Sequence, residues 1–250
     1  MRRAGRGAGR PGGLLALCLG LAACVATAND AVRVGIVAAE YAAPTTRYPH
    51  GALGDPVEHG QMRVRLSDGR ALTATLPEDL VFEDTAPRLS DLDGDGSAEI
   101  IVVESHADQG ARLAVWHLND TGLTRAAATP FIGRRFRWLA PTGAADLDED
   151  GRVEIAYVET PHLGRVLKVL RWQDGQLVPV AKIGGVSNHR FGQSVIEGRI
   201  ARCDGQPTIL LADAGWRRVV GARLHGNALS LSDLGPYRGP QSFQAVAGCD

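Results

Sequence analysis

Two stretches of the chain concentrate carboxylates in a pattern suited to a hard cation. Asp91-Leu92-Asp93-Gly94-Asp95-Gly96-Ser97-Ala98-Glu99 places acids at positions 1, 3, 5 and 9, and Asp146-Leu147-Asp148-Glu149-Asp150-Gly151-Arg152-Val153-Glu154 repeats the arrangement. Calcium takes about six to eight oxygens at ~2.3–2.6 Å, and a tight glycine turn lets one short loop wrap it. The expected ligands are Asp91, Asp93, Asp95, Glu99 and the Ser97 carbonyl, then Asp146, Asp148, Asp150, Glu154 and the Arg152 carbonyl, giving two Ca2+ sites. Without an ion the carboxylates of one loop crowd within about 5 Å, and each pair costs on the order of 1–3 kcal/mol. An all-oxygen set disfavours zinc, and nothing supplies the octahedron with retained waters that magnesium prefers.

A second group of residues suits an anion. Arg47, Tyr48 and His50 form one cluster in sequence, Arg134, Arg135, Arg137 and Trp138 another, and His189 with Arg190 and Tyr237 with Arg238 complete the set. Guanidiniums beside rings clamp a carboxylate, sulfate or phosphate while the rings stack on a sugar. The competing reading makes the aromatics core residues between structural units and pairs the arginines with acids such as Glu83 and Asp84. Catalytic signatures are thin: the chain has no G-x-S-x-G elbow, H-E-x-x-H, P-loop or dinucleotide fingerprint. Its histidines (His50, His59, His106, His117, His162, His189 and His225) are scattered singly. His189 is the best placed of them for chemistry, because it lies in the basic and aromatic set.

These residues recur because the chain repeats itself. Asp91 to Asp146 is 55 residues, and a degenerate third copy follows with Ile200, Arg202, Asp204 and Thr208 at the ligand positions, too few carboxylates for calcium. Phe82, Phe136, Phe191 and Phe243 keep the same beat. Each period predicts four short strands: an apolar run after the acidic loop (100–103, 155–158, 209–212), an alternating run (112–118, 165–172, 218–224), a third strand such as 177–183, and a fourth before the next acidic loop such as 138–145. Gly/Asn/Asp turns between them are β-hairpin chemistry, and no helical period occurs after the N-terminal segment. No such unit buries both faces alone, so the units must stack.

The loops and the apolar strand after them resemble the FG-GAP/VCBS repeat of integrin-type β-propellers, with Phe191-Gly192 resembling the FG of the name. The resemblance covers roughly 80–215 and departs from the pattern in having Glu at position 9 and no glycine after Phe136. It implies structural calcium and a binding scaffold, and no particular chemistry.

The remainder fits the same template by register. Strands are expected over 32–38, 62–66 and 71–76, with 39–61 as an insertion loop, and 242–249 reads as one more strand at the far end. A head lacking a strand and a tail supplying it predict ring closure: an all-β, small, four-bladed β-propeller whose terminal blade joins one C-terminal and three N-terminal strands. An open solenoid or a pair of β-sandwiches is the rival.

Composition sets the class. The chain has 250 residues, 44% hydrophobic and 22% charged, with 27 basic against 28 acidic side chains, which excludes a polybasic nucleic-acid binder and a disordered chain. Arg2, Arg3, Arg6 and Arg10, an uncharged run from Leu14 to Val25 and Ala26-Thr27-Ala28 read as a signal peptide over 1–28, followed by one domain over 29–250. Leu21-Ala22-Ala23-Cys24 also resembles a lipobox, so lipid anchoring at Cys24 stays open; no membrane span is expected. Cleavage after Ala28 leaves Cys203 and Cys249, a pair suited to a disulfide in a periplasmic or secreted protein, or to two buried thiols. The functional expectation is a binding module for an anionic saccharide, an envelope component or a partner protein. A hydrolase or lyase on a polyanionic glycan and a purely structural envelope protein are the alternatives.

Overall fold

A computed structural model describes Gly9 and residues 34–250; the proposed signal peptide and Cys24 lie outside the described residues. The described chain is all-β apart from one short 3-10 helix. Its N-terminal unit contains β1 (Ile36–Thr45), β2 (Glu58–Leu66) and β3 (Ala71–Thr75), paired in the order β1-β2-β3. In β2 the alternation is direct: Met62, Val64 and Leu66 are buried while Arg63 and Arg65 are exposed, the period of a strand with one face on a core. The expected insertion loop is shorter than 39–61. Tyr41 stacks on Phe82 and carries β1 on to Thr45, leaving 46–57 as the loop.

The first repeat follows as β4 (Leu80–Phe82), β5 (Arg88–Ser90), β6 (Glu99–His106), β7 (Gly110–Asn119) and β8 (Gly122–Ala128). β4 and β5 are two halves of one edge strand on β6, and β4 also meets β2 at Phe82–His59, joining the N-terminal unit to this sheet. The second repeat is a continuous four-stranded sheet of β9 (Leu139–Ala145), β10 (Glu154–Glu159), β11 (Val166–Gln173) and β12 (Gln176–Gly184). The third contains β13 (Val186–Ser187), β14 (Arg199–Cys203), β15 (Gln206–Asp213), β16 (Arg218–His225) and β17 (Ala228–Pro236), again with a divided edge strand. All pairings are antiparallel. In every repeat a bulge interrupts the pairing of the last two strands, beside Val115, Val169 and Val219. β6 is buried from Glu99 to Ser105 and β10 from Glu154 to Val158, whereas β12 and β17 are largely exposed, so burial falls from the strand after each acidic loop toward the last strand of the repeat.

Hydrophobic clusters lie where consecutive units meet. Met62, Phe82, Ile100 and Trp116 join the N-terminal unit to the first repeat; Ile101, Leu113, Trp138 and Tyr157 join the first to the second; Val158, Leu167, Ile209 and Leu224 join the second to the third. The fourth cluster differs. Residues 242–249 form no strand: Pro240–Phe243 is a 3-10 helix, and Phe243 and Val246 fold back onto Ala201, Leu210 and Val219 of the third repeat. Cys249 is disulfide-bonded to Cys203, and Arg202 N–H donates to the Asp250 carboxylate at 2.8 Å. The tail thus caps its own repeat. Among the described residues β1 pairs only with β2, so the expected strand exchange between tail and head is not made. The disulfide suits an oxidising compartment. Among the described residues no helix is long and apolar enough to cross a membrane.

A buried charge network ties the first repeat together. Glu104 accepts from Arg112 Nη2 at 2.7 Å, Arg125 Nε at 2.9 Å and Trp116 Nε1 at 2.9 Å, and its side chain is inaccessible to solvent. Removing one member of such a group strands the others without a counter-charge. Glu104→Ala is expected to lower stability by about 3–5 kcal/mol in urea denaturation; an unchanged midpoint would contradict the network's role. Replacing both Cys203 and Cys249 by Ser opens a loop with a sequence separation of 46 residues. That change is expected to cost roughly 2–4 kcal/mol in the same measurement.

Candidate functional site

Each acidic stretch is the hairpin loop joining the edge strand of a repeat to its most buried strand, β5 to β6 and β9 to β10. The two loops share one hydrogen-bond scheme. Asp91 Oδ1 accepts from the N–H of Gly94 and Asp95, and its Oδ2 from Gly96 at 3.0 Å; Asp146 accepts from Asp150 at 3.1 Å and Gly151 at 2.9 Å. Glu99 Oε2 accepts from Leu92 N–H at 2.8 Å and Glu154 Oε2 from Leu147 N–H at 2.9 Å. The turns need glycines at positive φ, Gly94 and Gly96 in the first and Gly151 in the second, while Glu149 takes φ 60° at the non-glycine position. The result brings oxygens of Asp91, Asp93 and Glu99 within 4.8 Å of one another, and likewise those of Asp146, Asp148 and Glu154. Asp95 and Asp150 instead accept from the N–H of Ser97 and Arg152, at 2.8 and 3.0 Å.

The loops differ in charge. Arg171 on β11 lies opposite Glu154 and reaches Asp148 at 3.0 Å, Asp150 at 3.1 Å and Glu154 at 2.5 Å. The third copy has Arg223 at the same register, donating to Thr208 Oγ1 at 3.0 Å and to the Cys203 carbonyl at 2.8 Å. In the first repeat that register position is His117, and among the described residues no cation pairs with Asp91, Asp93 or Glu99. Burial pushes Glu99 up to about 7, with the Asp93, Asp95 and Asp91 charges adding to it against the Leu92 hydrogen bond. Burial also raises Glu154, but there Arg171 opposes the shift.

The segments between repeats meet at a second site. Tyr48 and His50 from loop 46–57, Phe136 and Trp138 from the segment before β9, and His189 and Phe191 from the segment after β13 form one aromatic cluster. His50 stacks on Phe136 at 5.0 Å, His162 on Trp138 at 6.0 Å, and Phe191 makes edge contacts with both histidines. Glu83 sits beneath. It contacts His50 Nδ1 at 2.5 Å, accepts from Ser105 Oγ, and its carbonyl takes the Trp138 indole N–H at 2.8 Å. His189 Nε2 faces the Gln193 carbonyl at 2.7 Å, which can only accept, so the ring proton belongs there; Nδ1 then accepts from His162 Nε2–H at 2.8 Å. Of this cluster Phe191 is 60% exposed. Arg135 lies over Phe136 at 4.6 Å and Tyr48 at 5.9 Å.

The sequence-predicted ligand residues divide between several places. Tyr48, His50, Arg135, Trp138 and His189 converge on this cluster. Arg47 is spent on structure: its guanidinium donates to the carbonyls of Leu80 and Pro77 across the N-terminal unit. Arg134 is exposed and Arg137 half-buried, and their carbonyls hold the turn packed on Gly110. Arg190 and Tyr237 belong to a separate group on the third repeat, with the exposed Arg238 next to it in sequence. Glu83, Ser105 and His162 were missed by sequence reasoning. Glu83 and Asp84 do pair, but with His50 and Arg88 rather than with the ring arginines.

Burial pushes His162 down from 6.5 to about 4, aided by His189 and His50, and it also lowers His189. The folded state therefore binds fewer protons than the unfolded one below the ordinary value. The stability contributed by the neutral pair is complete above about 6.5 and is lost as pH falls toward 4. Urea midpoints measured from pH 7 to pH 4 should decline less in His162→Phe than in the native chain; parallel declines would show that the pair does not titrate on unfolding.

Comparison with known proteins agrees with the repeat. No curated protein matches the chain. Among solved structures, a rhamnogalacturonan lyase PL11 of Bacillus licheniformis aligns over 75% of this chain and 44% of its own, at 17% identity and TM-score 0.40. The chain thus spans less than half of that enzyme. Residues 91–157, which hold both acidic loops, match the FG-GAP-like repeat.

Proposed function

We propose that the chain is an exported, calcium-stabilised β-propeller that acts as a binding module, with an anionic saccharide, an envelope component or a partner protein as its ligand. Four units, one N-terminal and three from the repeats, are read as blades. The link across the first and last supports this: Gly192 N–H, after β13, donates to the Ala52 carbonyl of loop 46–57 at 2.8 Å. Strand exchange between tail and head is not part of the reading.

The observation that carries it is the pair of acidic hairpins with one hydrogen-bond scheme. Their donor set is entirely oxygen, which suits calcium. Asp91, Asp93 and Glu99 would hold the ion in the first loop, and Asp146, Asp148 and Glu154 in the second; the ion would supply the positive charge that the buried Glu99 lacks. Ligand contact is assigned to the segments between blades, where the exposed Phe191 and the Arg135–Phe136 stack surround the histidine cluster. One feature favours the enzymatic alternative. The buried Glu83–His50 pair, backed by Ser105, is the arrangement that orients an imidazole for proton transfer. Depolymerisation of an acidic glycan that is lost in His50→Ala would establish that reading in place of the first.

A ligand bound only by the folded state stabilises it by mass action, about 2.7 kcal/mol at a hundredfold excess over Kd. Calcium is expected to raise Tm relative to chelator, and Asp93→Ala to remove most of that rise. Asp148→Ala is expected to remove less, because Arg171 already neutralises its loop. No calcium response in the native chain, or equal losses in the two variants, would contradict the assignment.

A further inference from the structure

We infer that the third repeat carries an oxyanion-binding site centred on Arg190, suited to the carboxylate of an acidic saccharide; this deepens the binding-module reading and rests on it. The guanidinium of Arg190 lies 4.2 Å from the Trp216 ring centre and 5.0 Å from that of Tyr237, two rings set at 74° to each other. Stacking covers the faces of the guanidinium and leaves its N–H donors, which lie in the plane, unspent. Among the described residues no acceptor takes a hydrogen bond from it and no carboxylate pairs with it. A planar cation fixed in this way matches a planar bidentate oxyanion.

The surroundings fix the rings independently. Trp216 is held at φ 54°, a conformation that is uncommon for a bulky side chain. The turn that imposes it is tied by Asp213, whose carboxylate accepts from the N–H of Arg217 at 2.6 Å and Arg218 at 2.7 Å and whose carbonyl accepts from Trp216 N–H at 2.9 Å. Tyr237 is anchored at both ends: its N–H donates to the Arg217 carbonyl at 2.8 Å, and its hydroxyl donates to buried Glu197 at 2.7 Å. Strain and hydrogen bonds are thus concentrated where the two rings receive one guanidinium, the arrangement expected of a preorganised recognition group.

Charge and shape select the ligand. Arg217 and Arg238 directly follow Trp216 and Tyr237 in the chain, and among the described residues neither makes an ion pair. Asp213 and Glu197 are held by backbone N–H groups and the Tyr237 hydroxyl, neutral donors that do not cancel a carboxylate's charge, and Arg217 acts electrostatically on Asp213. The three guanidiniums of Arg190, Arg217 and Arg238 against these two carboxylates still leave a positive excess, which favours an anion. Trp216 and Tyr237, both only partly buried beside the guanidinium, offer apolar ring surface to a sugar, which a free phosphate would not use.

The test is calorimetric titration of the full chain, with calcium present, against an oligouronate, its neutral methyl ester and inorganic phosphate. The proposal predicts binding of the oligouronate, none of the ester at the same concentration, and phosphate competition only at far higher concentration. Arg190→Ala should weaken oligouronate binding about 10-fold or more, and Arg190→Lys, which keeps the charge but not the fork, should restore only part of it. Trp216→Phe, which keeps an aromatic face, should retain most of the affinity. An unchanged calcium-dependent Tm in these variants keeps misfolding apart from lost recognition. The inference is overturned if the native chain binds no oligouronate, if ester and acid bind alike, if phosphate binds more tightly than the oligouronate, or if Arg190→Ala binds as the native chain does. Binding of another glycan or a protein that is indifferent to Arg190→Ala would overturn this site while leaving the module reading intact.

Discussion

Carboxylate crowding at one hairpin is the constraint around which the repeats are arranged. The loop between the edge strand and the most buried strand must turn tightly, and acids whose oxygens accept the loop's own N–H groups make that turn. Those acids then sit within 4.8 Å of each other beside a buried glutamate. Some positive charge has to answer them. The three repeats answer differently at one register position. At the four ligand positions the first has four acids with His117 opposite, the second four acids with Arg171 opposite, and the third one acid with Arg223 opposite and a disulfide beside it. The series runs from a loop in which no cation among the described residues pairs with Asp91, Asp93 or Glu99, through one that carries Arg171, to one held covalently.

That series also explains the tail. The third loop lacks the acids that brace the turns of the other two, so the Arg199–Cys203 strand loses that bracing at its turn. The Cys203–Cys249 bond, the Arg202–Asp250 hydrogen bond and the burial of Phe243 and Val246 hold it instead. A chain end committed to this task cannot also complete a sheet with β1. Contact between the first and last units comes from loops, through Ala52 and Gly192, and the same loops carry His50 and His189 of the histidine cluster.

What was legible in the residues is what depends on local pattern. Apolar runs after each acidic loop became β6, β10 and β15, and turn dipeptides placed the hairpins, because strand period and turn chemistry act within a few residues. The tail differs from expectation because the register of Phe243 in the repeat does not say which unit it will pack on; the pairing of Cys203 with Cys249 was legible, but not that it would hold the tail on its own repeat. The convergence of His50, His162 and His189 was hidden for the same reason: each lies singly in a different connection, and only the packing of the units brings the rings together. Arg171 and Arg223 left a usable signal, an arginine at the same place in successive repeats, but its meaning required the strand register.

The central claim is that the acidic hairpins are unequal charge problems, the first left for a divalent ion and the second answered by Arg171. Calcium stoichiometry by calorimetric titration tests it most directly, in the native chain and in Arg171→Ala. The account predicts one tight and one weaker site in the native chain, and a gain in affinity at the weaker site when Arg171 is removed. Two identical sites that ignore Arg171→Ala, or no calcium bound at all, would contradict it.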